Sequence, residues 1–206
     1  MTKLCNKPPA KVEHLPLAQA GASLIMVLMI LIIVSLIGVG GAQIALMGER
    51  GSRNDRDMQI ALQAAEAALL DAVDDMREPA SAREEIFDGI NAVAFLAGCG
   101  SSGNSRGLCS DTLVNTPLGP KPAWLAVDFT NTDDNAPTVP YGAFTGRTFA
   151  SGGAGVRPAL PPRYVIELVP DPTGDRSQIS YMYRVTAMGF GPRADIQAVL
   201  QMLYRK

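Results

Sequence analysis

Ala22-Ser-Leu-Ile-Met-Val-Leu-Met-Ile-Leu-Ile-Ile-Val-Ser-Leu-Ile-Gly-Val-Gly-Gly-Ala-Gln-Ile-Ala-Leu-Met47 is the stretch that decides the fold. It holds no charged residue, and only Ser23, Ser35 and Gln43 are polar. As a helix, Ala22–Gly48 would run about 40 Å, whereas a bilayer core of about 30 Å needs only about 20 residues. A buried helix of a soluble protein seldom runs so far without a charge, so the stretch reads as a membrane-inserting helix.

The helical period outlasts the apolar run. Met58, Ala61, Leu62, Ala65, Ala68, Leu69, Ala72, Val73 and Met76 recur in steps of three and four, with Asp57, Gln63, Glu66, Asp71, Asp74 and Asp75 between them. Ala, Leu, Gln and Glu dominate, all strong helix formers, and no proline interrupts before Pro79. The text predicts one helix from about Ser23 to Arg77, on the order of 80 Å long. Its first half is apolar all round. Its second half has one apolar face for a globular head.

Upstream, Met1–Gly21 carries Lys3, Lys7 and Lys11 against Glu13. Lysines ahead of a first apolar segment hold that end in the cytoplasm and send the rest across. An ordinary secretory leader has an apolar region of about 7–15 residues and is cut on its far side. Cutting there would destroy this helix, whereas cutting after Gly21 would keep it.

A basic leader, a glycine, a small residue, an unbroken apolar helix and an amphipathic continuation resemble the class III leader and stem of type IV pilins. Glu49-Arg-Gly-Ser-Arg-Asn-Asp-Arg-Asp-Met-Gln-Ile-Ala-Leu-Gln-Ala-Ala-Glu-Ala-Ala-Leu69 resembles one branch, the PilX-type minor pilins. The resemblance covers about Gly21–Leu69. It implies cleavage between Gly21 and Ala22 by prepilin peptidase and methylation of Ala22. It also implies an inner-membrane protein with a periplasmic head that later joins a cell-surface pilus. The implied partners are other minor pilins, the major pilin and a tip adhesin, and the implied role is priming assembly.

Two positions depart from the family. Gln19-Ala20 stands where pilins usually place a basic residue, and Met26 holds the fifth mature position, usually a glutamate. In major pilins that glutamate is thought to meet the terminal ammonium of a neighbour, because a charge in an apolar bundle needs a partner. Met26 suits a subunit at the filament end, as in the resembling K-type minor pseudopilins of type II secretion; drift in a low-copy subunit explains it equally well. Gly38, Gly40 and Gly41 each cost a helix interior about 1 kcal/mol against alanine. They read as a place where the stem loosens during packing, or as a small-residue helix contact.

The 206 residues allow one domain plus the helix arm. Loss of the leader removes three lysines and one glutamate, leaving 15 Lys+Arg against 19 Asp+Glu, so no nucleic-acid footprint is expected. Cys5 and the sole histidine, His14, leave with it. Without histidine, Ser-His-Asp and Cys-His systems and His-ligated zinc are excluded. No phosphate-binding glycine loop is present, and Asp74-Asp75 and Glu84-Glu85 read as solvated helix faces. An enzyme, a cofactor and a metal are therefore not expected. Cys99 and Cys109, with nine residues between them, form a disulfide in an oxidising periplasm or remain as two buried thiols.

Downstream, Ser81-Ala-Arg-Glu84 has capping-box spacing, and Ile86, Phe87, Ile90, Val93 and Ala94 follow at helical intervals, predicting a second helix from about Ala82 to Leu96. Residues 98–162 are rich in turn formers, with one expected strand, Ala123–Phe129. Asp128–Asn135 has oxygen ligands for calcium but lacks EF-hand spacing, and reads more simply as an Asx-rich turn. Arg163–Val169, Ile179–Met188 and Ala194–Tyr204 alternate as strands, joined by Pro170–Gly174 and Gly189–Pro192. Ile196, Ala198, Leu200 and Met202 share one face, which the Met58–Met76 helix face would cover.

The expected class is α+β and pilin-like, a long N-terminal helix packed on a C-terminal antiparallel sheet. The expected segments are a removable leader (1–21), a transmembrane and filament-core half (22–47) and an amphipathic half (48–78). A connecting region with a short helix and the cysteines (79–162) and a β-meander (163–206) complete the chain. The alternatives are a type II secretion minor pseudopilin, close in function, and, from a different class, a bitopic inner-membrane protein with a periplasmic binding module that joins no filament.

Overall fold

The computed structural model describes residues 22–77, 81, 83–153, 156–172 and 180–206. It divides into two compact units, Met1–Arg50 and Gly51–Lys206. Of the first unit, the described part is helical throughout and belongs to α1 (Ala22–Arg77). Its apolar side chains are uncovered: Leu24, Met26, Leu36, Ile37 and Met47 are each about 70 % exposed. Among the described residues this is the one helix long and apolar enough to cross a membrane.

In the second unit the remaining turns of α1 pack on a sheet whose strands run in the order β1 (Leu108–Cys109), β5 (Arg163–Pro170), β6 (Tyr181–Phe190), β7 (Gln197–Tyr204). β4 (Val139–Pro140) pairs antiparallel with β5 beside β1, which pairs with it in parallel. The β5–β6–β7 pairings are antiparallel and without a bulge, in registers such as Ile166↔Val185 and Val185↔Met202. The expected helix on an antiparallel sheet is met at β5–β6–β7, and β1 adds a parallel pairing that was not expected. The expected turn at Pro170–Gly174 lies partly outside the described residues.

Small residues set the helix–sheet distance. Ala61, Ala64, Ala65, Ala68 and Ala72 are buried on α1. A Cβ added to Gly189 of β6 would fall 2.1 Å from the Ala61 carbonyl oxygen, so only glycine admits the helix backbone there. Further along, Met76, Phe87, Phe95, Tyr164, Tyr183 and Val185 form the main core. Phe87 meets the Tyr183 ring edge-on at 5.3 Å.

The buried stripe is rotated from the expected one. Met58 and Leu62 are 40 % and 36 % exposed, while Asp71 and Asp75 are fully buried. The sheet also has two covered faces at β5, not one: its first six residues are all buried. Tyr164, Ile166 and Leu168 meet the α1 core, and Val165 meets a second cluster of Cys99, Cys109, Ala123 and Phe129.

Two expected elements are absent. The helix over Ala82–Leu96 is only a 3-10 turn, Glu84–Ile86. Beyond it the Asp88 carboxylate accepts the Ile90 and Asn91 amides at 2.9 and 2.7 Å, holding the chain in an Asx turn instead of a helix. Ile90 and Val93 consequently stand 72 % and 85 % exposed. The expected strand Ala123–Phe129 is a single helical turn, α2 (Ala123–Ala126), started by Pro122. The Trp124 amide there donates to Glu167 at 3.2 Å. A hairpin of β2 (Val114–Thr116) and β3 (Gly119–Lys121) precedes it, where only turns were expected.

Candidate functional site

The apolar half of α1 carries most of the positions singled out from sequence. Gly21 lies outside the described residues, and Ala22 is the first residue of the helix. Met26 projects an uncharged, 71 % exposed side chain one turn on. The helix runs unbroken through Gly38, Gly40 and Gly41, and a Cβ at any of the three would meet no heavy atom within 4 Å. The glycines are thus not required by packing among the described residues. The Ser35 hydroxyl donates to the Leu31 carbonyl at 2.7 Å, so even the polar residue there satisfies itself along the helix.

Cys99 and Cys109 are joined by a disulfide. Cys109 is in β1, and the Leu108 carbonyl accepts amides from Leu96 (3.2 Å) and Gly100 (3.1 Å), so the loop is fastened at both ends. Gly107, at φ +70, passes so close to Val139 that a Cβ would lie 2.4 Å from its Cγ2. Through Cys99, Cys109, Ala123 and Phe129, part of the connecting region packs on the face of β5 opposite α1. Its Asp128–Asn135 loop is an Asx turn: Asp128 Oδ1 accepts the Thr130 amide and hydroxyl at 2.8 and 2.6 Å. Those bonds hold the Asp128 carboxyl below its usual range. Among the described residues, no three His, Cys, Asp or Glu side chains gather into a metal-binding group.

The strongest polar feature was not foreseen. Asp74-Asp75 read as a solvated face and Asp71 as one of the polar residues between the apolar positions, but Asp71 and Asp75 are buried under loops of the second unit. Arg83, fully buried, donates from Nε and Nη2 to Asp75 and from Nη1 to the Arg106 carbonyl at 2.7 Å. Ser81 and Tyr164 hydroxyls complete the Asp75 carboxylate at 3.0 and 2.8 Å. The Arg83 guanidinium lies 3.7 Å from the Phe144 ring centroid, within cation–π range. Burial, and then the Asp75 charge, push the Tyr164 hydroxyl well above the usual tyrosine range.

One turn back, Asp71 accepts the Gly142 amide at 2.7 Å and the Thr145 hydroxyl at 2.5 Å. Burial raises its carboxyl above the ordinary value of 3.8, against the pull of those two bonds. Asp74 pairs with Arg147 at the surface. On the opposite sheet face, buried Glu167 takes Arg184 Nε at 2.7 Å, and buried Arg163 donates to Thr138 Oγ1 at 2.7 Å. Desolvation, assisted by Arg106, lowers Arg163 to about 10. Among the described residues, no buried side-chain nitrogen or oxygen lacks a partner. These groups are fully engaged in holding loops to the helix and sheet. Asp71 and Asp75, four residues apart among alanines, were the available signal in the sequence.

Comparison with known proteins bears on both units. A family model described as the type IV pilus assembly protein PilX C-terminal region matches residues 99–206, and the PilX N-terminal model matches residues 20–70. No curated protein and no solved structure matches the chain.

Proposed function

The chain belongs to the PilX family of type IV pilus assembly proteins, and from that premise we propose that this minor pilin helps to initiate the filament from a place at or near its tip. The family is a structural component of the pilus and not an enzyme family. The protein first resides in the inner membrane with residues 48–206 in the periplasm. Prepilin peptidase removes Met1–Gly21 and methylates Ala22, and the mature chain then enters the filament alongside other minor pilins and the major pilin, beneath a tip adhesin.

Met26 is the observation that carries tip placement. A mature ammonium at Ala22 inside an apolar bundle is a charge in need of a partner, at a cost of several kcal/mol if it finds none. A neighbour's carboxylate at the fifth mature position would offset that cost, and Met26 has none to give. A subunit at the filament end has no neighbour on that side whose ammonium needs a carboxylate from it, so methionine costs nothing there. Gly38, Gly40 and Gly41 fit the same reading: without packing partners among the described residues, they serve a helix that loosens on entering the bundle.

The test combines intact mass with immunogold labelling of the protein in its own pili. Expected are a mature chain beginning at a methylated Ala22 and label confined to filament ends. Deletion is expected to lower the number of filaments far more than their length. A full-length chain that retains Cys5 in the membrane would point instead to a bitopic anchor. Label spaced along the shaft would refute tip placement while leaving the family assignment intact.

A further inference from the structure

Two guanidiniums meet without an anion beside the start of β5. Arg163 opens that strand and is only 3 % exposed. Strand alternation sets it with Val165 on the face away from α1. Its Nε donates to Thr138 Oγ1 at 2.7 Å and its Nη2 to the Thr138 carbonyl at 3.3 Å. Arg106, half-buried just ahead of β1, donates from Nε to that same carbonyl at 3.1 Å and to the Ala136 carbonyl at 3.2 Å. Its Nη2 donates to the Asp133 carbonyl at 3.1 Å. One shared acceptor oxygen therefore holds the two cations side by side.

Every acceptor in this set is neutral. Among the described residues no carboxylate pairs with either guanidinium, and Asp133 and Asp134 stand exposed in the loop whose carbonyls Arg106 holds. The charge that acts on Arg163 is Arg106, which adds to desolvation in lowering it to about 10. Buried charges are ordinarily paired, because a lone one forfeits its hydration, and here two of the same sign adjoin. Each fork also keeps an unused arm. The Nη1 groups of Arg106 and Arg163 donate to no protein oxygen. No buried side-chain nitrogen among the described residues lacks a partner, so both Nη1 groups are open to solvent.

We propose that Arg106 and Arg163 form a binding site for a doubly charged tetrahedral oxyanion, a phosphate group, taken between their two Nη1 groups. Planar guanidinium forks match the oxygens of carboxylate and phosphate alike. A single carboxylate leaves one of the two cations unneutralised, whereas a dianion neutralises both. The phosphate group is either the free ion or the end of a monoester. Its binding steadies the connecting region, because Arg106 ties together the Asp133, Ala136 and Thr138 carbonyls and offers its own carbonyl to Arg83. The site stands independently of the pilin reading.

Full-length protein in detergent micelles is titrated with sodium phosphate by calorimetry at pH 8, with chloride holding the ionic strength constant. One saturable site with a Kd of about 1 mM or tighter is expected, while acetate gives no saturable heat. Arg163→Lys keeps the charge but removes the fork, and Arg106→Gln removes the charge. Each is expected to weaken phosphate about ten-fold with Trp124 emission unchanged. Glycerol 3-phosphate that binds as tightly as phosphate assigns the site to an ester carried by another molecule, and its exclusion assigns the site to the free ion. In the wild-type chain, saturating phosphate should slow phenylglyoxal labelling of Arg106, read by mass spectrometry, and leave the exposed Arg193 unaffected. That measurement decides the matter where a variant fails to fold. Absence of saturable binding, acetate binding as tight as that of phosphate, unchanged affinity in both variants, or labelling of Arg106 that ignores phosphate overturns the site.

Discussion

Replacing Arg83 by alanine is the most severe single test of the buried polar network. The side chain is fully buried, and it supplies two donors to Asp75 and one to the Arg106 carbonyl, under the Phe144 ring. Its loss leaves the Asp75 carboxylate in the core with only the Ser81 and Tyr164 hydroxyls. Breaking a buried pair by removing one partner costs about 3–5 kcal/mol, a large part of a stability of about 5–15 kcal/mol. Trp124, the sole tryptophan, sits in the disulfide cluster and reports unfolding by fluorescence. At a urea slope of about 2 kcal/mol per M, a loss of about 4 kcal/mol lowers the midpoint by about 2 M for full-length protein in micelles. The paired replacement Arg83→Met with Asp75→Leu is expected to recover most of that loss, because no charge then remains unpaired. A midpoint shift below about 0.5 M for Arg83→Ala would refute the reasoning, since the pair would have to be solvated in solution.

Two further outcomes are expected. Asp71 has a folded pKa above its unfolded value of 3.8, so the fold binds its proton more tightly than the unfolded chain does; stability therefore falls as pH rises between those two values. Asp71→Asn should flatten that slope while still accepting the Gly142 amide, whereas Asp71→Ala should cost about 1–3 kcal/mol by orphaning it; an unchanged slope in urea midpoints of the Asn variant would count against this. Changing Gly38, Gly40 and Gly41 together to alanine should raise helix stability in micelles by up to about 3 kcal/mol and yet reduce piliation. Normal filament numbers from that variant would remove the loosening role.

What could be read in the sequence, and what could not, divides along the range of the interactions. The apolar run, the helical period to Arg77 and the alternation in β5, β6 and β7 are local patterns, and each yields its element. The sequence reading set Ile196, Ala198, Leu200 and Met202 on one side, and Ala198 and Met202 do lie opposite Gly189 and Val185. The segment after Ser81 failed because its helical spacing of apolar residues is real but loses to Asp88, whose carboxylate captures two backbone amides. Ala123–Phe129 failed because the amide of Trp124 is claimed by Glu167, some forty residues away in sequence. Asp71 and Asp75 failed for the same reason: a carboxylate on a helix looks solvated until the arginine and loop amides that cover it are brought in by the fold. The cysteines left bond and free thiols open, and only the closeness of β1 to Gly98 and its neighbours brings the sulfurs together.

The alanine seam has a mechanical consequence. Ala61, Ala64, Ala65, Ala68 and Ala72 bring the α1 backbone against β6 at Gly189, and none of them is long enough to lodge between the side chains of the sheet. A smooth seam resists separation, since that would expose apolar surface, but it offers little resistance to sliding along the helix axis. When a stem is pulled lengthwise, shear on the head must be borne elsewhere. Two fixtures near the end of α1 can carry it: Asp75 clamped by Arg83, and Asp71 held by Gly142 and Thr145. The buried carboxylates then act as cross-pins in a low-friction joint, placed where a tensile load on the helix is transferred to the folded head.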